Sequence, residues 1–350
     1  MAYTTINKGS SYFNTITYTG TGSSNSLTGV GFKPDWVWIK KRNGAVGHRL
    51  YDAVRGVQNT LFSNSTDAEA TGQSTTLTAF NSDGFTVISE SGVNASGDTY
   101  VAWNWLGANT TVSNTAGTIS STVSANTTAG FSIVSYTGNG SNGATIGHGL
   151  GVAPKMVIPK CRSNTGDWSC YHASLSASNN IFLNLTQAQS AIVSKDDGGI
   201  STTSSTTFTI AQGGVSQNNV NGSGRTYIAY CFAEIKGFSK FGSYTGNGNA
   251  DGTFIYTGFK PAFIMYKQSS AAGESWIMQD GARDLFNVTN KRLLANASNA
   301  EADEPIDFLS NGFKCRTTGA FQNASGSTYI YMCFASNPFV SSTLIPTTAR

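Results

Sequence analysis

The sequence predicts an all-β protein made of three tandem β-sandwich domains of jelly-roll or lectin-like type. Three observations predict it. One set of anchor residues returns three times, in one order, along the 350 residues. Large apolar residues recur with period two where each set closes, the pattern of a half-buried strand. Gly, Asn, Ser and Thr punctuate the chain from end to end, as turns between short strands require.

The first anchor is Tyr18-Thr19-Gly20-Thr21-Gly22, which returns as Tyr136-Thr137-Gly138-Asn139-Gly140 and Tyr244-Thr245-Gly246-Asn247-Gly248. A second follows in Gly31-Phe32-Lys33-Pro34, Gly151-Val152-Ala153-Pro154 and Gly258-Phe259-Lys260-Pro261. Each proline opens an apolar stretch, a place where its missing N–H costs no ladder bond. Each stretch reaches a lysine: Lys40, Lys160 and Lys267. In the first copy Trp36 and Trp38 lie on one face of that stretch and Val37 and Ile39 on the other, so it reads as a central strand covered on both sides. Each copy closes on an Asn-x-Ser-Gly turn and a tyrosine: Tyr100, Tyr227, Tyr329. Alternate positions then read Val101/Trp103/Trp105, Ile228/Tyr230/Phe232 and Ile330/Met332/Phe334.

These anchors place the copies at residues 1–107, 108–236 and 237–340, with 341–350 as an extended C-terminal arm. Residues 108–116 read as a linker; 117–125, where Ile119 and Val123 alternate, reads equally as linker or as the first strand of copy two. Only a few residues separate Phe232 from Phe238, so copies two and three should abut rigidly.

Charged residues make up 12% of the chain, about half the usual share. The balance, 22 basic against 19 acidic, gives +3. The tightest basic run, Lys40-Lys41-Arg42, is too short to track a nucleic-acid backbone and reads as a solvated strand end. No apolar segment is long enough to span a membrane as a helix, and the start lacks the apolar core of a signal peptide. The five cysteines, Cys161, Cys170, Cys231, Cys315 and Cys333, form no C-x-x-C pair and are absent from copy one, so they read as free thiols. Synthesis in a reducing cytoplasm is thus combined with a charge-poor surface suited to permanent exposure.

The copies also serve as an internal control on candidate chemistry. His48 and Asp52 have the residue types of an acid–base pair, but His48 aligns with Trp168 and Trp276, which makes it a packing position. His148 stands in a glycine-rich loop. Asp52-x-x-Arg55 recurs as Asp280-x-x-Arg283, with His172 and Leu175 in copy two, and reads as a turn-tying ion pair worth up to about 1 kcal/mol if exposed. Asp196-Asp197-Gly198 and the group Glu301, Asp303, Glu304, Asp307 lack calcium-loop spacing and read as solvated acidic loops. No nucleophile elbow or P-loop occurs. No catalytic, cofactor-binding or metal-ligating residue is expected, and no cofactor. Trp103, Trp105 and Trp168 fall on inward faces; Tyr51 and Tyr171, on the opposite face, are the expected surface contacts.

The stretches Gly31 to Lys41, Leu50 to Gly56 and Asn94 to Trp105, with Gly130 to Gly140 and Gly147 to Lys155, resemble repeat modules of uncharacterised function. Such modules occur in virion and tail-fibre-like proteins of marine tailed bacteriophages. The likeness covers nearly the whole chain and is weakest in copy three, at Gln279 and residues 287–310. It carries no catalytic residues. It implies a setting: the surface of a virion, after synthesis in the host cytoplasm. Expected there is a non-enzymatic capsid decoration protein or short fibre, working by multivalent contacts with the virion's major capsid or tail proteins and with further copies of itself. The alternative is a tail-fibre receptor-binding module that reads host surface glycans, with a glycan-cleaving spike as a third. Nucleic acid and membrane are not expected partners.

Overall fold

The computed structural model describes residues 4–192, 198–211 and 219–336. Among them are twenty-six β-strands, one 3-10 turn at Gly9–Ser11 and no α-helix; every strand pairing is antiparallel apart from an isolated bridge between Ile119 and Ile146. The C-terminal arm, 341–350, and the acidic pair Asp196-Asp197 lie outside the described residues.

Each copy contributes an inner sheet built on its closing strand. In copy one, Thr99–Trp105 pairs on one side with Phe13–Thr19 and on the other with Trp36–Lys41, which in turn pairs with Arg49–Asp52. The same order recurs in copy two with Phe131–Thr137, Thr226–Phe232, Met156–Cys161 and Ser169–His172. Copy three repeats it with Ser239–Thr245, Thr328–Ala335, Pro261–Gln268 and Ile277–Asp280. A small outer sheet lies over the other face: Asn25–Leu27, Gly84–Val87 and Leu77–Asn81 in copy one, and Thr145–Gly147, Thr207–Ala211 and Gly199–Thr203 in copy two. In copy three the strand Thr289–Leu294 joins inner and outer strands into one eight-stranded sheet.

The expected linker is partly strand. Val112–Asn114 pairs with Ser121–Asn126, which pairs with Phe131–Thr137 at the margin of copy two's sheet. Asp35 of copy one holds the start of this connection, accepting the N–H groups of Gly107 at 2.8 Å and Asn109 at 3.2 Å. A Ser/Thr/Asn-rich composition therefore misleads at Val112, whose partner is supplied by the next strand.

Strand alternation divides the core in two layers. Val37, Ile39, Tyr100 and Ala102 point outward and pack against Leu27, Leu77, Phe85 and Val87 of the outer sheet. Trp36, Trp38, Trp103 and Trp105 point inward. There they meet Ile133, Tyr230 and Phe232 of copy two and Phe263, Met265 and Phe334 of copy three in one continuous apolar cluster. The rings of Trp36 and Tyr230 stack at 4.2 Å, and those of Phe13 and Phe334 at 5.0 Å. All six tryptophans are buried. So the three copies share a centre. The N-terminal segment before Phe13 belongs to it as well: Ile6 is buried, and a Cβ on Gly9 would collide with the Ala335 carbonyl. All five cysteines are buried free thiols.

Candidate functional site

The residues with chemical potential lie at the seams between copies, and they repeat in a cycle. His48 accepts the Trp38 indole N–H on Nδ1 at 2.8 Å, so its proton is on Nε2, which donates to the Leu294 carbonyl of copy three at 2.8 Å. At the equivalent positions, Trp168 donates Nε1–H to Phe62 of copy one at 3.0 Å and Trp276 to Phe182 of copy two at 2.9 Å. A second cycle runs through the backbone. Arg42 O accepts the Glu301 N–H at 2.7 Å, Arg162 O that of Glu69 at 2.9 Å, and Ser269 O that of Gln189 at 3.0 Å. Copy three thus holds copy one, copy one holds copy two, and copy two holds copy three.

Buried charge reinforces two of the three seams. The Arg42 guanidinium grips Glu301 through two bonds of 2.9 Å, and Arg162 grips Glu69 at 2.6 and 3.0 Å. Behind each carboxylate sits a fully buried pair, Asp52 with Arg55 and Asp280 with Arg283. Arg55 reaches Glu69 at 3.4 Å and Arg283 reaches Glu301 at 3.1 Å. The carboxylates also accept from a neighbouring copy, Asp52 from the Tyr230 hydroxyl at 2.8 Å and Asp280 from the Trp103 indole at 3.0 Å. Burial, the largest single influence, would lower the Arg55 pKa, but Asp52, Tyr230 and Glu69 together outweigh it and raise it. Glu301 is held below its ordinary value, since Arg42 and Arg283 overcome the upward push of burial. Each pair does tie down its turn, Asp52 accepting the Arg55 backbone N–H at 2.8 Å and Asp280 that of Arg283 at 3.0 Å, but neither is exposed: both are buried between copies. At the third seam His172, Leu175 and Gln189 replace acid, base and acid together, because any one of these charges left alone in the interior would be costly.

The histidines are neutral structural groups. Burial pulls the pKa of His48 down to about 3 and that of His172 to about 4. An unfolded histidine takes up its proton near pH 6.5. Between that value and about 4 the unfolded state binds more protons, so stability falls as pH falls. Urea midpoints should therefore drop between pH 7 and pH 4.5, and the His48→Gln variant should show a shallower drop than the parent; equal slopes would exclude His48 as a contributor. His148 is also buried, with Nε2 3.1 Å from Ser204 O.

The basic run is not a solvated strand end. Lys40, like Lys160 and Lys267, is buried, and burial lowers all three amines to about 8. Each is spent on carbonyls: Lys41 and Gly44 for Lys40, Thr66 and Gly166 for Lys160, Thr186 and Gln268 for Lys267. Nor is the acidic group of copy three a solvated loop. Asp303, Glu304 and Asp307 lie in the strand Ala302–Leu309; Glu304 is buried and bonded to Gln322 at 3.0 Å, while Asp303 pairs with Lys291 at 2.8 Å. Among the described residues no three His, Cys, Asp or Glu side chains are placed to hold a metal ion.

Of the two expected surface contacts, Tyr51 is displaced. It is fully buried in the outer core of copy one, which pushes its hydroxyl up to about 12. The face opposite the tryptophans is covered by a second sheet, so it is interior too. Tyr171 is half-buried against the outer core of copy two. Most of the exposed large apolar side chains lie in copy three: Tyr256 at 63% and Phe254 at 44% on the marginal strand Phe254–Tyr256, and Leu285 at 74% with Phe286 at 83% in a loop; Val112 and Val152 are exposed in copy two. The departure of copy three from the common pattern at residues 287–310 adjoins Leu285 and Phe286 and is the signal that could have pointed to that pair; Phe254 and Tyr256 carry no such signal. Leu285 and Phe286 edge a cleft of about 420 Å³ where copy three meets copy one, with Phe13, Pro261, Ala262 and Phe308 among its walls. No helix among the described residues is long and apolar enough to cross a membrane.

One protein family matches, described as a domain of unknown function (DUF7483), over residues 8–338, a span that takes in all three copies. No curated protein and no solved structure matches the chain.

Proposed function

We propose that this chain, which belongs to the DUF7483 family, is a non-enzymatic surface protein of a tailed-phage virion, a capsid decoration protein or short fibre acting through multivalent contacts. The observation that carries the reading is the commitment of the buried chemical groups. His48, His172, the two Asp–Arg pairs and the three lysines are all consumed in holding the copies or their loops together. Such a molecule supplies a rigid body and a surface. We read each copy as a sandwich-like unit, built of two sheets in copies one and two and of one continuous sheet in copy three, so that one chain offers three related outer faces to a repeated partner. Linked weak contacts of this kind raise avidity by about 10²–10⁴ with no new chemistry.

A second reading, a receptor-binding module for host glycans, is favoured by Tyr256 and Phe254, whose exposed rings suit stacking on a sugar face. Antibody labelling of purified particles tests the main proposal. Intact particles should be labelled, with hundreds of copies each for a capsid role and a dozen or so for a tail role. Label found only after particles are broken, or only in infected-cell cytoplasm, sinks it. Glycan binding lost in Tyr256→Ala would transfer the assignment to the second reading.

A further inference from the structure

The three inner sheets share one strand order, so what lies beside each can be compared seam by seam. In copy two the outer side of Phe131–Thr137 is taken by Ser121–Asn126, with Ile133 opposite Ser124 and Val134 opposite Val123. In copy one the sheet ends at Phe13–Thr19. Pairing with the closing strands matches Phe13 to Phe131, Thr15 to Ile133 and Ile16 to Val134. Burial follows the difference. Ser132, Ile133 and Val134 are buried, whereas their equivalents Asn14, Thr15 and Ile16 are half-buried. The cleft of about 420 Å³ runs along this margin, on Phe13, Asn14 and Thr15, and is lined also by Ala262 and Ser336 of copy three. At the seam between copies one and two, the counterparts of Ala262 and Ser336 are Asp35 and Gly107. These stand against Ser124: a Cβ on Gly107 would lie 2.9 Å from both the Asp35 carboxyl carbon and the Ser124 hydroxyl. The cleft therefore occupies the place that a strand fills one seam away.

We propose that this cleft is a strand-addition site, where an extended segment of a partner protein pairs with Phe13–Thr19 as Ser121–Asn126 pairs with Phe131–Thr137. The backbone is oriented for it. Tyr12 O accepts the Leu106 N–H and Gly20 N–H donates to Asp98 O, so by alternation Phe13, Thr15 and Thr17 turn their backbone groups outward. The Thr15 N–H rests on the Asn14 side chain at 3.0 Å, a contact that an incoming carbonyl replaces. In copy three the matching N–H, that of Phe241, goes to the Glu234 carboxylate at 3.2 Å. In strand addition the main chain supplies affinity and alternate side chains select the partner. Here the selection differs from that of the internal hairpin. Ala262 replaces Asp35, the polar neighbour of Ser124, and exposed Leu285 and Phe286 stand at the cleft. The partner's residue in the place of Ser124 is therefore large and apolar, and it covers that exposed pair. The inference does not rest on the virion reading, and its test uses purified protein.

Two labelled peptides decide it by fluorescence anisotropy: residues 118–127 of this chain, and the same peptide carrying Ser124→Leu. The parent should bind the leucine peptide at least about tenfold more tightly than the unmodified one, and the protein variant Ala262→Asp should reverse that order, a gain that misfolding cannot produce. Thr17→Pro removes an outward N–H and no ladder bond; it should weaken the leucine peptide about fivefold or more. In the parent, bound peptide should slow hydrogen exchange at the Thr15 and Thr17 amides. Failure of the parent to bind either peptide overturns the proposal, as does binding that neither variant alters. Self-association of the parent that disappears in Thr17→Pro would give the margin to a second copy and overturn it as well.

Discussion

Trp36→Ala should cost about 3–5 kcal/mol, and the variant should still unfold in a single step. The side chain is shared property. It lies 4.3 Å from Trp105 and 5.6 Å from Trp38 in its own copy, and 4.2 Å from Tyr230 and 5.9 Å from Phe131 and Phe232 in the next. Truncation opens a void at the common centre, which neighbouring rings held by two sheets cannot collapse to fill. If the copies share that centre, damage in one is felt by all. Calorimetry of parent and variant should each give one endotherm, with calorimetric and van't Hoff enthalpies in agreement. A separate transition for copies two and three, unmoved by the substitution, would show that the copies fold as independent beads.

Asp280→Ala should cost a similar amount, about 3–5 kcal/mol, for a different reason. It removes the carboxylate that faces Arg283 at 2.6 Å and that accepts the Trp103 indole N–H from copy one. A buried guanidinium and a buried N–H are then left short of acceptors. Replacing the pair together, as Asp280→Leu with Arg283→Met, should recover at least half of the loss, since no uncompensated charge remains. The seam at His172 and Leu175 already follows that solution. Denaturant midpoints for the two variants measure the comparison. A cost below about 1 kcal/mol for Asp280→Ala would place the pair among exposed ion pairs.

The strands were legible in the sequence because alternation is a local property. Trp103 and Trp105 announce an inward face by their spacing, and Val37 and Ile39 announce that the opposite face is covered as well. What covers each face is not local. Nothing in the spacing of Trp36 and Trp38 states that their partners are Tyr230 and Phe232, nearly two hundred positions away. Tyr51 was misplaced for the same reason: facing away from tryptophans was equated with facing water. The seam groups left a fainter trace. His48, Trp168 and Trp276 have unlike shapes but share a ring N–H, which is the property the seam uses. Asp, Arg and Glu also vanish from copy two as a set, a sign that they act as a unit. Exposed Leu285 and Phe286 stand immediately before residues 287–310, where copy three departs from the other two, which weakens the internal control beside the point of greatest interest.

The closed cycle has a consequence for how the molecule is made. Arg42 meets Glu301 across 259 residues of sequence, and Phe13 meets Phe334 across more. At a translation rate of roughly 5–20 residues per second, the first copy waits some tens of seconds for the surface that covers it. Until copy two emerges, Trp36, Trp38, Trp103 and Trp105 form an apolar face with no partner copy on the nascent chain, and the cover stays incomplete until copy three follows. Contacts so distant in sequence also make the final closure slow. Biogenesis should therefore depend on chaperones that bind the emerging first copy, and chains truncated before copy three should be found bound to chaperones or in aggregates.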